Sequence, residues 1–331
     1  MPSPPSAQRK GLLAVGIALV SALFFTLTYV LNRASAAHGG HWAWTACLRY
    51  FITLPLLAPL VAWQGGAAAV WKAIRTHPLD WLRCGAVGFV LFYSMLSFAA
   101  SSGPSWLVAG SFQFTVIAGM LCGPFLYRDK RRTIPKAGLM TGILILGGVF
   151  LMQLSHGGGS LDAAGWFAFF CVLLSAVAYP LGNRMLLLHL ENTGETLNAT
   201  QRVFGMTLVT QPLWLVLAAW AWHQTGPPPL AQIGLAGGVA LSAGVIATIL
   251  FFQATGMVRT IPVALGAAEA MQAAELLFSM LLGSLFLGEA WPAGTALLGS
   301  SIVTVGIVVF ALVVARPPAS DADTMRKPRS A

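Results

Sequence analysis

Three polar side chains recur three residues apart in an otherwise apolar stretch of the sequence: Glu269, Gln272 and Glu275. On an α-helix, positions three residues apart are displaced by about 60°, so these side chains form one polar stripe. If the stretch crosses a bilayer, a carboxylate at its centre costs at least ~2.5–3.5 kcal/mol on insertion scales. We therefore expect the carboxyl groups to face a cavity, to pair with a cation or to take up a proton. The stripe predicts a carboxyl that exchanges protons; a structural carboxyl bonded to a neighbouring helix is the alternative.

Two arginines also lie within or at the edge of apolar stretches, where a charge is costly. For Arg49 three interpretations are open: the side chain snorkels to the surface, pairs with a carboxyl of the polar stripe, or binds an anionic substrate. Arg202 lies nearer the predicted cytoplasmic surface, which favours snorkelling. Gln113, Tyr29 and Tyr179 are further candidates for lining a cavity.

The remaining reactive residues do not form a known catalytic or metal-binding pattern. The four cysteines are scattered through apolar stretches without CxxC spacing, which is typical of inert packing thiols. The six histidines fall in predicted loops or helix ends, and neither HExxH nor GxxxxGK[ST] occurs in the sequence. We therefore expect no enzyme activity, no metal, no cofactor and no ATP-driven step.

The elements that must position these residues are membrane-spanning helices. Hydrophobic residues make up 57% of the 331 residues and charged residues only 9%. A bilayer core about 30 Å thick needs about 20 apolar residues as a helix, and stretches of that kind recur ten times. The predicted spans are 11–31, 42–63, 84–102, 104–126, 137–154, 164–182, 203–223, 231–254, 261–287 and 293–315.

The basic residues agree with ten spans and with both termini in the cytoplasm. On that topology, sixteen of the 19 Lys and Arg residues face the cytoplasm and Arg33 alone faces the opposite side. Such a bias is the positive-inside rule. It also explains the net charge of +9 by attraction to anionic lipid rather than to nucleic acid.

The sequence repeats itself after five spans. Asn32-Arg33 corresponds to Asn183-Arg184, Arg49 to Arg202, and Gln113 to Gln272, at offsets between 150 and 160 residues. Because five is odd, the second half enters the membrane from the opposite face, and such inverted repeats place a site between the halves. We interpret both Asn-Arg pairs as helix ends that fix interfacial depth.

The predicted fold is therefore an all-α membrane protein of ten transmembrane helices in two inverted repeats. The first repeat covers residues 11–154 and the second covers 164–315, joined by a connecting loop at 155–163. Residues 1–10 and 316–331 are Pro- and Ser-containing tails, for which we predict disorder.

The layout resembles the drug/metabolite transporter superfamily, in particular its ten-helix EamA-like members and the EmrE-type multidrug efflux family. The resemblance rests on Ala274-Glu275-Leu276-Leu277-Phe278 followed by Leu287-Gly288-Glu289, and on the glycines of the run from Gly294 to Gly306. The sequence departs from the family pattern at two places. Leu276 stands where proline is usual, and Tyr127-Arg128-Asp129 stands in the first half where the family has Leu-Gly-Glu. For Glu289 we expect a helix-end or packing role. The resemblance implies that the fifth and tenth helices lie away from the substrate path.

These observations predict a secondary active transporter in the cytoplasmic membrane that exports small organic molecules in exchange for protons. The acidic stripe favours a cation, an amine or another metabolite. The alternative within transport is uptake or exchange of an anionic or zwitterionic metabolite recognised by Arg49. A membrane receptor and an intramembrane enzyme are alternatives from other classes. The expected partners are substrate, protons and lipid, with the protein a monomer or homodimer.

Overall fold

The structure, a computed structural model, describes residues 7–129, 132, 134, 136–156, 163–258, 267–268 and 271–314. Within these ranges the regular secondary structure is helical, and no strand occurs. The helices named below are α1 (Ala7–Ala37), α2 (Trp42–Trp63), α3 (Ala67–Thr76), α4 (Pro78–Ala99), α5 (Ser105–Leu126), α6 (Lys136–His156), α7 (Ala163–Thr193), α8 (Ala199–Val209), α9 (Gln211–Thr225), α10 (Leu230–Val258), α11 (Met271–Leu287) and α12 (Thr295–Val314).

Most of these helices are long and apolar enough to cross a membrane. Seven helices of the described chain meet that requirement: α1, α2, α4, α5, α6, α7 and α10. The pair α8 and α9, bent by 48°, makes an eighth if it is one span, and α11 and α12 are shorter apolar helices. The protein is therefore an all-helical, multi-pass membrane protein.

Two helices continue past the ends predicted from hydropathy. α7 reaches Thr193 rather than residue 182, and α1 reaches Ala37 rather than residue 31. The Asn-Arg pairs at 32–33 and 183–184 therefore lie inside helices, and their interpretation as helix ends was wrong. The physical reason is that polar residues need not leave the helix when another part of the protein receives them; Asn32, for example, accepts a hydrogen bond from Tyr93 Oη at 2.9 Å.

Other boundaries differ less. The third span starts at Pro78 and ends at Ala99, and residues 100–104 separate α4 from α5. The predicted span 203–223 is broken at Thr210, where α9 begins with a proline in its first turn. α3 was not predicted: it is too short and polar to span, and it buries Val70, Ala73 and Ile74 on one face.

α4 and α10 each contain a π-helical segment, at Ala86–Leu91 and at Ala240–Ala247. A π segment shifts the helical register and turns side chains towards a new direction, and such segments are frequent at functional sites. Both segments contribute residues to the central cavity described below: Phe89 from α4, and Ala243 and Gly244 from α10.

Glycines allow two pairs of helices to approach closely. A Cβ at Gly182 of α7 would overlap the backbone of Gly88 in the π segment of α4. In the pair α6 and α12, a Cβ at Gly148 would lie 2.8 Å from the carbonyl oxygen of Gly299. Small residues at such crossings let backbones pack in the absence of a hydrophobic driving force between helices in lipid.

Several predicted features lie outside the described residues. These are most of both tails, the greater part of the connecting loop 155–163, the start of the predicted ninth span, and Glu269. The division of the chain into two repeats remains a prediction.

Candidate functional site

A cavity of about 710 Å³ opens among the helices and is the candidate functional site. Volumes of this order accommodate small organic ligands. Its walls come from both halves of the chain, that is from α1, α2, α4 and α5 and from α7, α8, α10, α11 and α12. The ionisable and amide side chains among the described lining residues are Tyr29, Arg49, Tyr50, Tyr179, Asn183, Arg184, Arg202, Gln272 and Glu275.

Glu275 lies at the start of the regular α-helical part of α11 and faces this cavity. Its residue surface is only 4% exposed. Tyr29 of α1 donates a hydrogen bond from Oη to Glu275 Oε2 at 3.1 Å, and the Gln113 side chain lies within hydrogen-bonding reach of the same carboxyl. A donor from another helix thus engages this buried acid.

Arg49 lies in the cavity wall between aromatic rings. Its Cζ lies 4.0 Å from the centroid of the Tyr93 ring and 5.6 Å from that of Tyr50. This geometry is a cation–π contact, which stabilises a guanidinium in apolar surroundings. The Nη1 atom is buried and has no hydrogen-bond partner among the described residues. Of the three interpretations, snorkelling to the surface does not describe this position, and no ion pair with a described carboxylate is formed.

Arg184 and Arg202 also line the cavity, on α7 and α8. The guanidinium of Arg184 crosses towards α5, where a Cβ at Gly119 would lie 3.1 Å from its Nη2. The absence of a side chain at Gly119 thus makes room for the guanidinium. Sequence reasoning assigned Arg184 to a helix end and missed it as a cavity residue. Its position depends on how α7 packs against α5, for which the sequence holds no local signal.

The structure brings together most of the residues selected from the sequence. Tyr29, Arg49, Tyr179, Arg202, Gln272 and Glu275 line the cavity. Gln113 is buried beside Glu275 without being a lining residue. The ring of Tyr179 lies 4.8 Å from that of Phe92 and 6.2 Å from that of Phe112, in an aromatic wall of the cavity. Glu269 lies outside the described residues.

Glu289 has the helix-end role expected for it. Gly288 ends α11 with φ of 63°, a left-handed conformation that glycine adopts without strain, so the chain turns back. The carboxylate of Glu289 then accepts hydrogen bonds from Ser105 N at 2.8 Å and from Ser105 Oγ at 2.7 Å. It therefore caps the first turn of α5, where the helix dipole favours a negative charge. Arg33 adds an ion pair at 3.8 Å.

Trp42 and Trp44, at the start of α2, contact residues at the end of α9. The Trp42 ring lies 5.7 Å from that of Trp220, and Trp44 is buried and donates a hydrogen bond from Nε1 to the Gly226 carbonyl oxygen at 3.0 Å. This cluster joins the first turns of α2 to the last turns of α9.

The structure also groups three possible metal ligands that the sequence separates: His77, Asp80 and His189. His77 Nδ1 and His189 Nδ1 lie 3.9 Å and 3.8 Å from Asp80 Oδ2. Arg83 lies 3.9 Å from the other carboxylate oxygen. The four cysteines are free and buried, as the packing interpretation requires.

Helices that cross a membrane and enclose a cavity with buried ionisable side chains define the class of polytopic membrane transporters. The sequence matches the family "EmrE: Putative multidrug resistance efflux transporter" over residues 12–316, and the chain belongs to this family.

Two similar proteins are themselves described as uncharacterized. YjlA of Bacillus subtilis (strain 168) is 39% identical over 305 residues, which are 89% of this chain and 93% of that protein. A 42.1 kDa protein of Shouchella clausii, encoded in the 3′ region of an intracellular alkaline protease, is 39% identical over 255 residues, which are 75% of this chain and 66% of that protein. A protein of known crystal structure superposes with a TM-score of 0.58 at 16% identity, over 92% of this chain and 98% of the other, a likeness of fold alone.

Proposed function

We propose that the protein is a secondary active transporter that moves small organic molecules across the cytoplasmic membrane in exchange for protons, most simply as an exporter. Membership of the efflux transporter family supports the transport class. The observation that carries the mechanism is Glu275, a buried carboxyl in the wall of a cavity large enough for an organic ligand.

The proposed mechanism uses Glu275 as the group that gains and loses a proton as substrate enters and leaves the cavity. Burial in a low-dielectric site disfavours an isolated carboxylate. A proton or a set of polar contacts can each offset that cost, so the carboxyl can exist in both states during the transport cycle. Tyr29 and Gln113 hold the carboxyl towards the cavity, and Gln272, one turn earlier on α11, continues the polar surface.

The proposed topology has ten spans, with α8 and α9 as one bent span and α11 and α12 as the last two. Hydrogen bonds near the loops support this topology. If each helix crosses the membrane once, every second loop lies at the same end of the bundle, and the observed contacts follow that rule. At one end, Arg33 Nη1 donates to Ser101 O at 3.2 Å and Gln232 Nε2 donates to His41 O at 2.8 Å. At the other end, Asn198 Nδ2 donates to Gln64 Oε1 at 3.3 Å.

The π segments support the inverted repeat. They lie in the third span of each proposed half and begin 154 residues apart, which falls within the range of offsets seen in the sequence. Five spans per half then place both termini on one side of the membrane, which the basic residues assign to the cytoplasm, and the cavity between the halves near the midplane, the arrangement that alternating access uses. We propose a monomer or a homodimer as the functional unit.

The test is proton flux through purified protein in liposomes that contain a pH-sensitive dye. A transported substrate should make the flux depend on both its own gradient and the proton gradient. Substrate movement that ignores the proton gradient would contradict coupling, and a screen of cations, anions and neutral compounds without any movement would contradict transport.

A further inference from the structure

We propose that the cavity selects small organic anions, above all carboxylates with an apolar or aromatic body, rather than cations. This inference rests on the proposed function in one respect: it takes the cavity as the place where the transported molecule binds. The polar stripe of α11 alone pointed the other way, towards a cation, and the arginines around it reverse that expectation.

The balance of charge in the cavity is positive. Arg49, Arg184 and Arg202 line it, and a guanidinium stays charged in proteins. Among the described lining residues, Glu275 is the one carboxyl. Glu269 lies outside the described residues, yet even an ionised Glu269 beside an ionised Glu275 would leave the arginines in excess. The sign of the charge therefore does not depend on where Glu269 lies.

The three arginines are not neutralised by the described protein. Arg33 and Arg83 each have a carboxylate partner, Glu289 and Asp80 respectively. No such ion pair is formed by Arg49, Arg184 or Arg202 within the described ranges. A charged guanidinium without a carboxylate partner in low-dielectric surroundings is costly, and an anionic ligand at the cavity wall would offset that cost.

The one acid of the cavity is already engaged. Glu275 accepts the hydrogen bond of Tyr29 at Oε2, so a protein donor already meets part of the demand of this carboxyl for hydrogen bonds. The arginine side chains of the cavity provide N–H donors that need hydrogen-bond acceptors. A carboxylate supplies two acceptor oxygens in a planar arrangement that matches the donors of a guanidinium.

The rest of the wall fits an apolar body. Aromatic rings surround the polar groups, among them Phe25, Phe89, Phe92, Phe112 and Phe251. The rings of Phe92 and Phe112 lie 5.6 Å apart and continue into Tyr179. A hydrophilic anion such as free phosphate would leave these rings facing water, whereas an aryl carboxylate would cover them. The expected ligand is thus an amphipathic anion.

Three probes that share one body test the charge directly. Naphthalene-2-carboxylate is the anion, naphthalene-2-carboxamide the neutral analogue, and (naphthalen-2-ylmethyl)trimethylammonium the cation. Binding of each to the purified full-length protein is measured by titration at fixed pH and ionic strength. We expect saturable binding of the carboxylate at least ten-fold tighter than binding of either other probe.

Variants assign the preference to the arginines. Arg184→Gln and Arg202→Gln should each weaken carboxylate binding about ten-fold or more and leave carboxamide binding unchanged. The matched control is Arg83→Gln, which removes an exposed arginine outside the cavity. It should change neither carboxylate binding nor carboxamide binding. Arg184→Lys keeps the charge and should restore part of the carboxylate affinity. A thermal melt of each variant, without ligand, verifies that the fold is retained.

The outcomes separate this inference from the proposed function. Tighter binding of the cation, or no saturable binding of the carboxylate, would overturn the anion preference, and transport of the cation would then still uphold a transporter. Carboxylate binding that the arginine variants leave intact would equally overturn it. Arginine-dependent carboxylate binding without movement of the probe across liposomes would uphold the anion site and contradict transport.

Discussion

At the scale of single residues, Glu275 has the strongest claim to function, because its surroundings combine burial with access to a cavity. A purely structural acid would be satisfied by helix caps or ion pairs, as Glu289 is by Ser105 and Arg33. Glu275 instead has an uncharged donor from Tyr29 and a wall position in the cavity. Neutral donors leave the carboxyl free to gain and lose a proton.

Replacement of Glu275 by glutamine tests this role. Glu275→Gln keeps the shape and removes proton exchange, and a neutral amide is easier to bury than a carboxylate. The protein should insert and fold normally, while proton-coupled flux in liposomes falls to background and the pH dependence of substrate binding flattens.

A matched variant shows whether the loss is specific to the cavity. Glu191→Gln makes the same chemical change at an exposed position near the end of α7 and should leave flux unaltered. Full proton-coupled flux in Glu275→Gln would remove Glu275 from the mechanism and leave Glu269 and the arginines as candidates.

For Glu289 we predict an effect on the stability of the protein rather than on transport. Glu289→Gln loses charge-assisted hydrogen bonds to the first turn of α5, which should lower stability by about 1–3 kcal/mol. Arg33→Gln removes the longer, partly exposed ion pair and an exposed hydrogen bond to Ser101 O, so its cost should stay below about 1 kcal/mol. Thermal unfolding in detergent, followed by tryptophan fluorescence, measures both. An equal loss in the two variants would show that the ion pair, rather than the cap, dominates.

At the scale of helices, the close crossing of α4 and α7 determines the shape of the cavity. Gly182 precedes Asn183 and Arg184, two of the lining residues, and it packs against Gly88 in the π segment. Any side chain at Gly182 would separate the helices and move Arg184 with them.

Valine at Gly182 should therefore destabilise the fold. Overpacking of this kind typically costs about 1–3 kcal/mol, and here the clash is with backbone atoms that cannot move aside. Gly147→Val is the control, because a Cβ at Gly147 meets no other atom within 4 Å. We expect a clear fall in the melting temperature for Gly182→Val alone. Similar melting temperatures for the two variants would contradict the close approach.

Hydropathy predicted that the helices exist but not where they end. Span 104–126 agrees with α5, and span 137–154 with α6, because these helices are apolar to their ends. α7 was cut short at residue 182 because Asn183 and Arg184 were interpreted as surface residues. A cavity inside the membrane provides polar surroundings that hydropathy cannot distinguish from water.

The candidate site was predictable in part, for the same reason. Tyr29, Arg49 and Glu275 are polar groups deep in apolar stretches, where the insertion cost itself suggests a function. The contact of Arg184 with Gly119 and the grouping of His77 with His189 depend on how distant helices pack. No pattern in the sequence contains that information.

At the scale of the whole molecule, the family is shown by the sequence match, and a cavity between helices suits its transport class. The fifth and tenth helices were expected to lie outside the substrate path. No α6 residue is among the described lining residues, whereas Ile307 and Phe310 of α12 are. α12, the predicted tenth span, therefore borders the cavity, and its place relative to a substrate path stays a prediction.

The ten-span topology can be tested by the accessibility of single cysteines. All four native cysteines are buried, so a variant lacking them provides a background for labelling. Cysteines at Lys130, Thr196 and Met325 should react with a membrane-impermeant maleimide only in inside-out vesicles. Cysteines at His38, Gly157 and Gly226 should react in intact cells.

The positions around α11 and α12 distinguish ten spans from eight. With ten spans, Met325 lies on the same side as Lys130, because α11 and α12 each cross the membrane once. If neither α11 nor α12 crossed the membrane, Met325 would still face the cytoplasm, so labelling at Met325 cannot distinguish the two topologies. A cysteine at Trp291, which lies between the two helices, can distinguish them. Labelling of Trp291 in intact cells, with Met325 protected, would establish both crossings. Labelling of Trp291 only from the cytoplasmic side would contradict ten spans and the inverted repeat with them, since the halves would no longer contain five helices each.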